Sequence, residues 1–315
     1  MKSWFASALL FLSFNGFADT INEVIQFQVM GRGVPSMPLQ AELRIPPQAQ
    51  PPYKTVILQH SSGPNVNLLT FKGRTDNVAH TVGLEALKRG YAVIFTDSFT
   101  PRAIEVSHRV GSKEIGAREL SQDLFFLVRH ISLDPRFDKN NLFFFGHSLG
   151  GSLAREVSFS QFWTRARWLS HQPTPFKAVV ASAPGCHLSR VGVIAQPLKI
   201  IVGQDDDWTP AAPCVEFVQE QQVLGASRIE IELIPKVGHT YSSYGTSWNS
   251  QAISFRGCTQ KRVQFTEDGR FVQGEDVFDY NEYKKRCHTI GATSMGPGDM
   301  VPAVALKVLN YFDGF

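Results

Sequence analysis

Short, nearly continuous apolar runs recur through the middle of the chain: TVILQH, YAVIFTDS, NLFFFGHS, KAVVASAP, LKIIVGQ and RIEIELIP. Runs rich in Val, Ile and Phe of this length are what strands buried on both faces look like. Between them, apolar residues fall at helical spacing and predict helices over about Asp76 to Arg89, Gly116 to Ile131, Leu149 to Gln161, Ala211 to Leu224 and Asp299 to Tyr311. Ahead of these, IQFQVMG and LQAELRIP alternate with period two and predict an amphipathic hairpin. Strands alternating with helices imply an α/β architecture, a mostly parallel central sheet covered on both faces. Ligands of such sheets bind beyond the carboxyl ends of the strands, so the residues just after each apolar run carry the candidate chemistry.

The first residues, MKSWFASALLFLSFNGFADT, follow another plan. One lysine precedes a short apolar run, and Gly16 and Ala18 stand three and one before a cleavage point after Ala18, which is the form of a signal peptide over residues 1–18. The remainder, 19–315, reads as a single α/β domain of an exported protein, periplasmic or secreted. No later run approaches the ~20 apolar residues of a membrane span. The net charge of +3 and its scatter along the chain exclude a nucleic-acid surface as the expected partner.

Four cysteines, Cys186, Cys214, Cys258 and Cys287, form no CxxC pair and match no zinc pattern, so two disulfides rather than a metal site are expected of an oxidising compartment. Three pairings are open. Joining sequence neighbours, 186 with 214 and 258 with 287, closes loops of about 30 residues, each worth about 3–4 kcal/mol in the loop-entropy model.

The run NLFFF leads into GHSLGG, which contains G-x-S-x-G as Gly146, His147, Ser148, Leu149 and Gly150. A buried strand before it and a helical pattern after it place Ser148 on a sharp strand-to-helix turn, its oxygen exposed above the sheet. A serine needs a base, and the base needs a third group to orient it. On this fold those partners come later, acid first and then histidine. LKIIV is followed by GQDDDWTPAAPC, with Asp205, Asp206 and Asp207 in a row, and RIEIELIP is followed by KVGHT, with His239.

With these residues in order, the chain resembles the α/β-hydrolase superfamily and within it the dienelactone hydrolase family, over most of its length from about Thr55. The resemblance is strongest in GYAVIFTDSFTPR, FFFGHSLGG, GQDDDWTPAAPC and IPKVGH. The family's G-x-x-D-x-x-x-P pattern aligns Gly203, Asp206 and Pro210, which selects Asp206 as the acid. In the same register Thr209 is expected to cap a helix started by Pro210 or Pro213, with Asp205 and Asp207 exposed or locally hydrogen bonded. The resemblance also implies a bond between Cys186 and Cys214 that braces the loop carrying Asp206. Family members carry cysteine as the nucleophile where this chain has Ser148, so a carboxylic ester is a safer substrate class than dienelactone.

The mechanism expected is acyl transfer to water by Ser148, His239 and Asp206, with no metal or organic cofactor and a small-molecule ester as partner. The oxyanion donors expected are the N–H of Leu149 and one from QHSSGPN, Ser62 first by position and Ser61 second. His187, after the strand KAVVASAP, is a candidate pocket residue; the remaining histidines read as packing or surface groups. Residues 159–176, rich in aromatics and arginine, read as a lid or a cover. Residues 240–298 form a long insertion after His239 that is functional or carries structure of its own. Two other classes share this pattern: a serine peptidase on the same fold, and a secreted binding protein that has lost turnover.

Overall fold

The computed structural model describes residues 20–31, 34–63, 78–159, 175–259, 262–266 and 270–315. The expected signal peptide and most of the expected cover at 159–176 lie outside the described residues.

The antiparallel hairpin is β1 (Ile21–Gly31) with β2 (Val34–Ile45). The apolar runs become β3 (Tyr53–Gln59), β4 (Ala92–Asp97), β5 (Phe137–His147), β6 (Ala178–Ser182), β8 (Leu198–Gly203) and β9 (Ile229–Ile234), with a short β7 (Leu188–Arg190) between β6 and β8. The helices are α1 (Val78–Lys88), α2 (Ala117–Ser132), α3 (Leu149–Val157), α4 (Ala211–Val223), α5 (Tyr280–Cys287) and α6 (Val301–Asp313).

Among the described residues, eight strands form one sheet in the order β1-β2-β4-β3-β5-β6-β8-β9. Pairing is antiparallel through β2–β4 and parallel from there on. The period of two along each strand sends neighbouring side chains to opposite faces. Phe144 thus joins Leu124 and Leu127 of α2, Leu153 of α3 and Phe217 of α4 on one face. Its neighbours Phe143 and Phe145 join Val82 of α1 and Val304, Val308 and Phe312 of α6 on the other. Burial on both faces explains why these strands read as unbroken apolar runs rather than as alternation.

The passage from 240 to 298 is structured throughout its described part. Strands β10 (Tyr244–Ser254) and β14 (Thr289–Pro297) make an antiparallel ribbon. Three short strands, β11 (Val263–Phe265), β12 (Phe271–Gln273) and β13 (Asp276–Phe278), extend from β7, which pairs with β11 in parallel. Cys258, Val263, Phe271, Tyr283 and Cys287 make a small core of their own. The insertion is therefore hydrogen bonded into the body at the segment just after Cys186 and His187. No helix among the described residues is long and apolar enough to cross a membrane.

Candidate active site

Ser148 is the residue between β5 and α3, and its backbone is left-handed, φ 57° and ψ −112°. A non-glycine residue held there costs about 1–3 kcal/mol and persists where the surroundings fix it. They do so here. The Ser148 N–H donates to the Ser182 carbonyl at 2.8 Å, and the turn closes so tightly that a Cβ on Gly146 would lie 2.0 Å from the Gly150 carbonyl oxygen. A Cβ on Gly150 would meet the Gln59 and His60 carbonyls at 2.6 and 2.7 Å. Only glycine lets the end of β3 approach the start of α3 this closely.

His239 lies five residues beyond β9, and its ring bridges two partners. Nδ1 is 2.8 Å from Asp206 Oδ2, and Nε2 is 2.8 Å from Ser148 Oγ. A carboxylate at Nδ1 requires the proton there, which leaves the Nε2 lone pair to accept the Ser148 hydroxyl. Both His239 and Asp206 are buried, 4% and 5% exposed. The other oxygen of Asp206 accepts the backbone N–H groups of Trp208 and Thr209, each at 2.9 Å. The acid loop and the histidine loop are also joined through their backbones, since Asp205 N–H donates to the Val237 carbonyl at 3.0 Å.

The three consecutive aspartates thus have three surroundings. Asp205 is exposed, Asp206 faces His239, and the Asp207 carboxylate accepts the N–H of Thr293 on β14 at 2.7 Å. Thr209 is not the cap that the sequence suggests. The N-cap of α4 is Pro210, without a side-chain cap bond, and the Thr209 hydroxyl instead turns inward to the Asp206–His239 pair. The capping pattern and an inward-facing hydroxyl look alike in sequence, because both place threonine after an aspartate and before proline.

His60 organises the candidate oxyanion loop. Its Nε2 accepts the N–H of Ser98 at 3.2 Å, so its Nδ1 carries the proton and donates to the Ser61 carbonyl at 2.7 Å. Burial holds the ring below the ordinary histidine range, which favours this neutral form. The Ser62 carbonyl accepts the Ser107 N–H at 3.0 Å, fixing the loop from its other side. Leu149 is the first residue of α3, whose partly positive N-terminus favours negative charge beside Ser148.

His147 is in the elbow but turns away from the serine oxygen. Its Nδ1 lies 3.1 Å from Ser182 Oγ, and its ring is 5.5 Å from that of His239. Burial, and secondarily the neighbouring His239, pushes His147 down to about 3, so it stays neutral beside His239. The indole of Trp208 lies 4.9 Å from the His239 ring, and its Nε1–H donates to the Ile253 carbonyl of β10. His187 is buried under the insertion, stacked on Phe255 at 4.0 Å and hydrogen bonded to the Tyr283 hydroxyl at 2.8 Å. It serves the docking of the insertion. His171 lies outside the described residues.

The cysteines pair 186 with 214 and 258 with 287. The first bond joins the loop after β6 to the first turn of α4, directly downstream of Asp206; the second closes the insertion on itself.

No family model matches the chain, and no curated protein matches it in sequence. In three dimensions the chain is similar to a putative dipeptidyl aminopeptidase IV from Bacteroides ovatus, at 13% identity and a TM-score of 0.54. That match covers 96% of this chain and only 36% of the other. It is similar to esterase 2 of Thermogutta terrifontis at 14% identity and a TM-score of 0.50, over 69% of this chain and 84% of that one. A putative dienelactone hydrolase from Klebsiella pneumoniae subsp. pneumoniae is similar at 17% identity and a TM-score of 0.47, over 70% and 88%. The fold is that of the α/β hydrolases.

Proposed function

We propose that this protein is a serine hydrolase of carboxylic esters, with Ser148 as nucleophile, His239 as base and Asp206 as the group that orients it. The observation that carries the reading is the unbroken hydrogen-bond chain from Asp206 through His239 to Ser148, with the serine held in a left-handed elbow. His239 Nε2 takes the hydroxyl proton as Ser148 Oγ attacks the acyl carbon. The carbonyl oxygen becomes an oxyanion facing the N–H of Leu149 and an N–H of the 60–63 loop, that of Ser62 by position. The imidazolium then protonates the departing alcohol, and water, deprotonated by the same nitrogen, releases the acyl group. Asp206 keeps the Nδ1 proton in place and offsets the positive charge.

The test is reaction of the purified protein with a fluorophosphonate probe, with peptide mapping and a Ser148→Ala control. Ser148 should label, the variant should not, and the variant should lose about six orders of magnitude in turnover of an activated ester. A folded protein that resists labelling would instead favour a binding protein that has lost turnover. The peptidase reading rests on the coverage of the Bacteroides structure. Matched ester and anilide substrates separate the two, and faster anilide turnover would replace the ester reading. Export is part of the proposal: two disulfides are what an oxidising compartment permits.

A further inference from the structure

Thr209 is buried, 5% exposed, and its hydroxyl oxygen sits at the corner of a triangle with the two ends of the acid–base contact. It lies 3.0 Å from Asp206 Oδ2 and 3.0 Å from His239 Nδ1, which are themselves 2.8 Å apart. A third neighbour is the Ala183 carbonyl, again at 3.0 Å. A hydroxyl has one proton and two lone pairs. The carboxylate and the carbonyl can only accept, and Nδ1–H can only donate. Two acceptors therefore compete for the single proton, and an ionised acceptor makes the stronger, charge-assisted bond. Donation to Asp206 also removes the repulsion that two bare oxygens would suffer at this separation.

We infer that the Thr209 hydroxyl is a positioning residue for the Asp206–His239 pair, donating to Asp206 Oδ2 while it offers a lone pair to His239 Nδ1–H. The inference rests on reading Ser148, His239 and Asp206 as a triad. Asp206 then accepts four hydrogen bonds: the N–H groups of Trp208 and Thr209 on Oδ1, and His239 Nδ1–H and the Thr209 hydroxyl on Oδ2. Each donor shares part of the carboxylate's charge and lessens its pull on the imidazolium. The hydroxyl also fixes Oδ2 from the side, so that the carboxylate cannot rotate away when the Ser148 proton arrives. Its effect is to keep the base in line and to leave it ready to return the proton.

Among the described residues, Asp206 and His147 lie against His239, and Tyr241 lies against His147. Asp206 comes from the loop after β8, His147 from the end of β5, and Tyr241 from two residues downstream, its ring 5.4 Å from that of His147. Burial first, and then His239, pushes His147 down to about 3; burial raises the Tyr241 phenol. Neither changes charge between about pH 5 and pH 9. An acid limb moved by a change at Thr209 would therefore come from neither of these two groups.

The test uses Thr209→Val, which keeps the shape and removes the hydroxyl, and Thr209→Ser, which restores it. Two readouts are needed. In the first, the pH profile of kcat/KM on an activated aryl ester should show a roughly tenfold loss at neutral pH in Thr209→Val. Its acid limb should move up by roughly half a pH unit, because a carboxylate with one donor fewer stabilises the imidazolium more, and this ionic effect outweighs the loss of a neutral lone pair at Nδ1–H. Thr209→Ser should return both to within about twofold of wild type. The second readout follows the His239 imidazole nitrogens by NMR titration in a Ser148→Ala background. It needs no turnover, so it reads the effect of Thr209 on the Asp206–His239 pair separately from the test of the triad, and the midpoint should rise in Thr209→Val by the same amount.

An unmoved or lowered midpoint in a folded Thr209→Val protein overturns the inference. The hydroxyl would then merely tether the left-handed Ala183 turn to the acid loop. Failure of the triad reading looks different: Ser148→Ala would retain the wild-type rate.

Discussion

Asp207 and Thr293 are 86 residues apart in sequence, yet the carboxylate of one accepts the backbone N–H of the other at 2.7 Å. The neighbouring residue, Asp206, faces the opposite way, into His239. Around this point the insertion holds both loops of the candidate triad. Phe255 N–H donates to the Trp208 carbonyl at 2.9 Å, and Gly238 N–H donates to the Met295 carbonyl at 2.9 Å. Arg256 lies 3.5 Å from the outer oxygen of Asp207. The ribbon β10–β14 is thus a splint across the loops of Asp206 and His239 rather than an appendage.

Replacing Asp207 with Ala should loosen that splint. The Thr293 N–H loses a charged acceptor, and stability should fall by about 1–3 kcal/mol in urea unfolding. Hydrogen exchange should increase in β14 more than in β5. Turnover should drop by less than tenfold, because Asp206 keeps its own partners; a loss as large as that of an Asp206 variant would mean that the two carboxylates were assigned the wrong way round.

Asp206→Asn should lower kcat by about 10⁴, the cost seen when a neutral amide replaces the acid of a triad and the imidazole adopts the wrong tautomer. Asp205→Asn, at an exposed side chain, should leave kcat within about twofold. Measuring the two variants side by side on one ester makes the comparison independent of substrate choice.

Stability should decline as pH falls below neutrality, and His147 should carry part of the slope. Its folded-state value is depressed to about 3 by burial, with His239 second, whereas the unfolded chain titrates near the ordinary ~6.5. Above that value both states are neutral and the contribution is complete. Between there and about pH 3 the unfolded chain takes up a proton that the folded site refuses, so stability is lost by up to about 1.4 kcal/mol per pH unit. Wild type should lose more than His147→Asn between pH 7 and pH 5, by about 1–2 kcal/mol; equal slopes would show that His147 does not contribute.

The disulfide between Cys258 and Cys287 spans 29 residues inside the insertion. Its removal by paired Ser substitutions should cost about 3–4 kcal/mol if the loop-entropy account holds. Because the splint contacts His239's loop, limited proteolysis of the insertion and loss of activity should appear at the same temperature. Activity that survives cleavage of the insertion would show that the triad holds its shape without it.

What was legible in the sequence lies mostly in the central sheet. Phe143, Phe144 and Phe145 announced a strand because covering helices bury both its faces, and the same logic located β3, β4, β6 and β8, whereas β9 is a partly exposed edge strand. Helix α3 begins at Leu149 as expected, but the described helix ends at Val157 rather than near Gln161. The insertion was unreadable in detail. Its strands are short or face solvent, Tyr244 and Trp248 among them, so no apolar period marks them.

By itself, the sequence determined the order of strands and helices and the candidate residues at strand ends, because burial and tight turns restrict which residue types fit. It placed Ser148, three consecutive aspartates and His239 in chain order, and a family resemblance singled out Asp206 among the three. Only the tertiary structure decided what surrounds them. Thr209 became a partner of Asp206 and His239 instead of a helix cap because the Ala183 turn and the histidine loop, distant in sequence, converge on its hydroxyl. Asp207 became the anchor of β14 for the same reason. Such roles depend on where a hydroxyl or carboxylate finds its partner, and for these two the distant partners lie 26, 30 and 86 residues away.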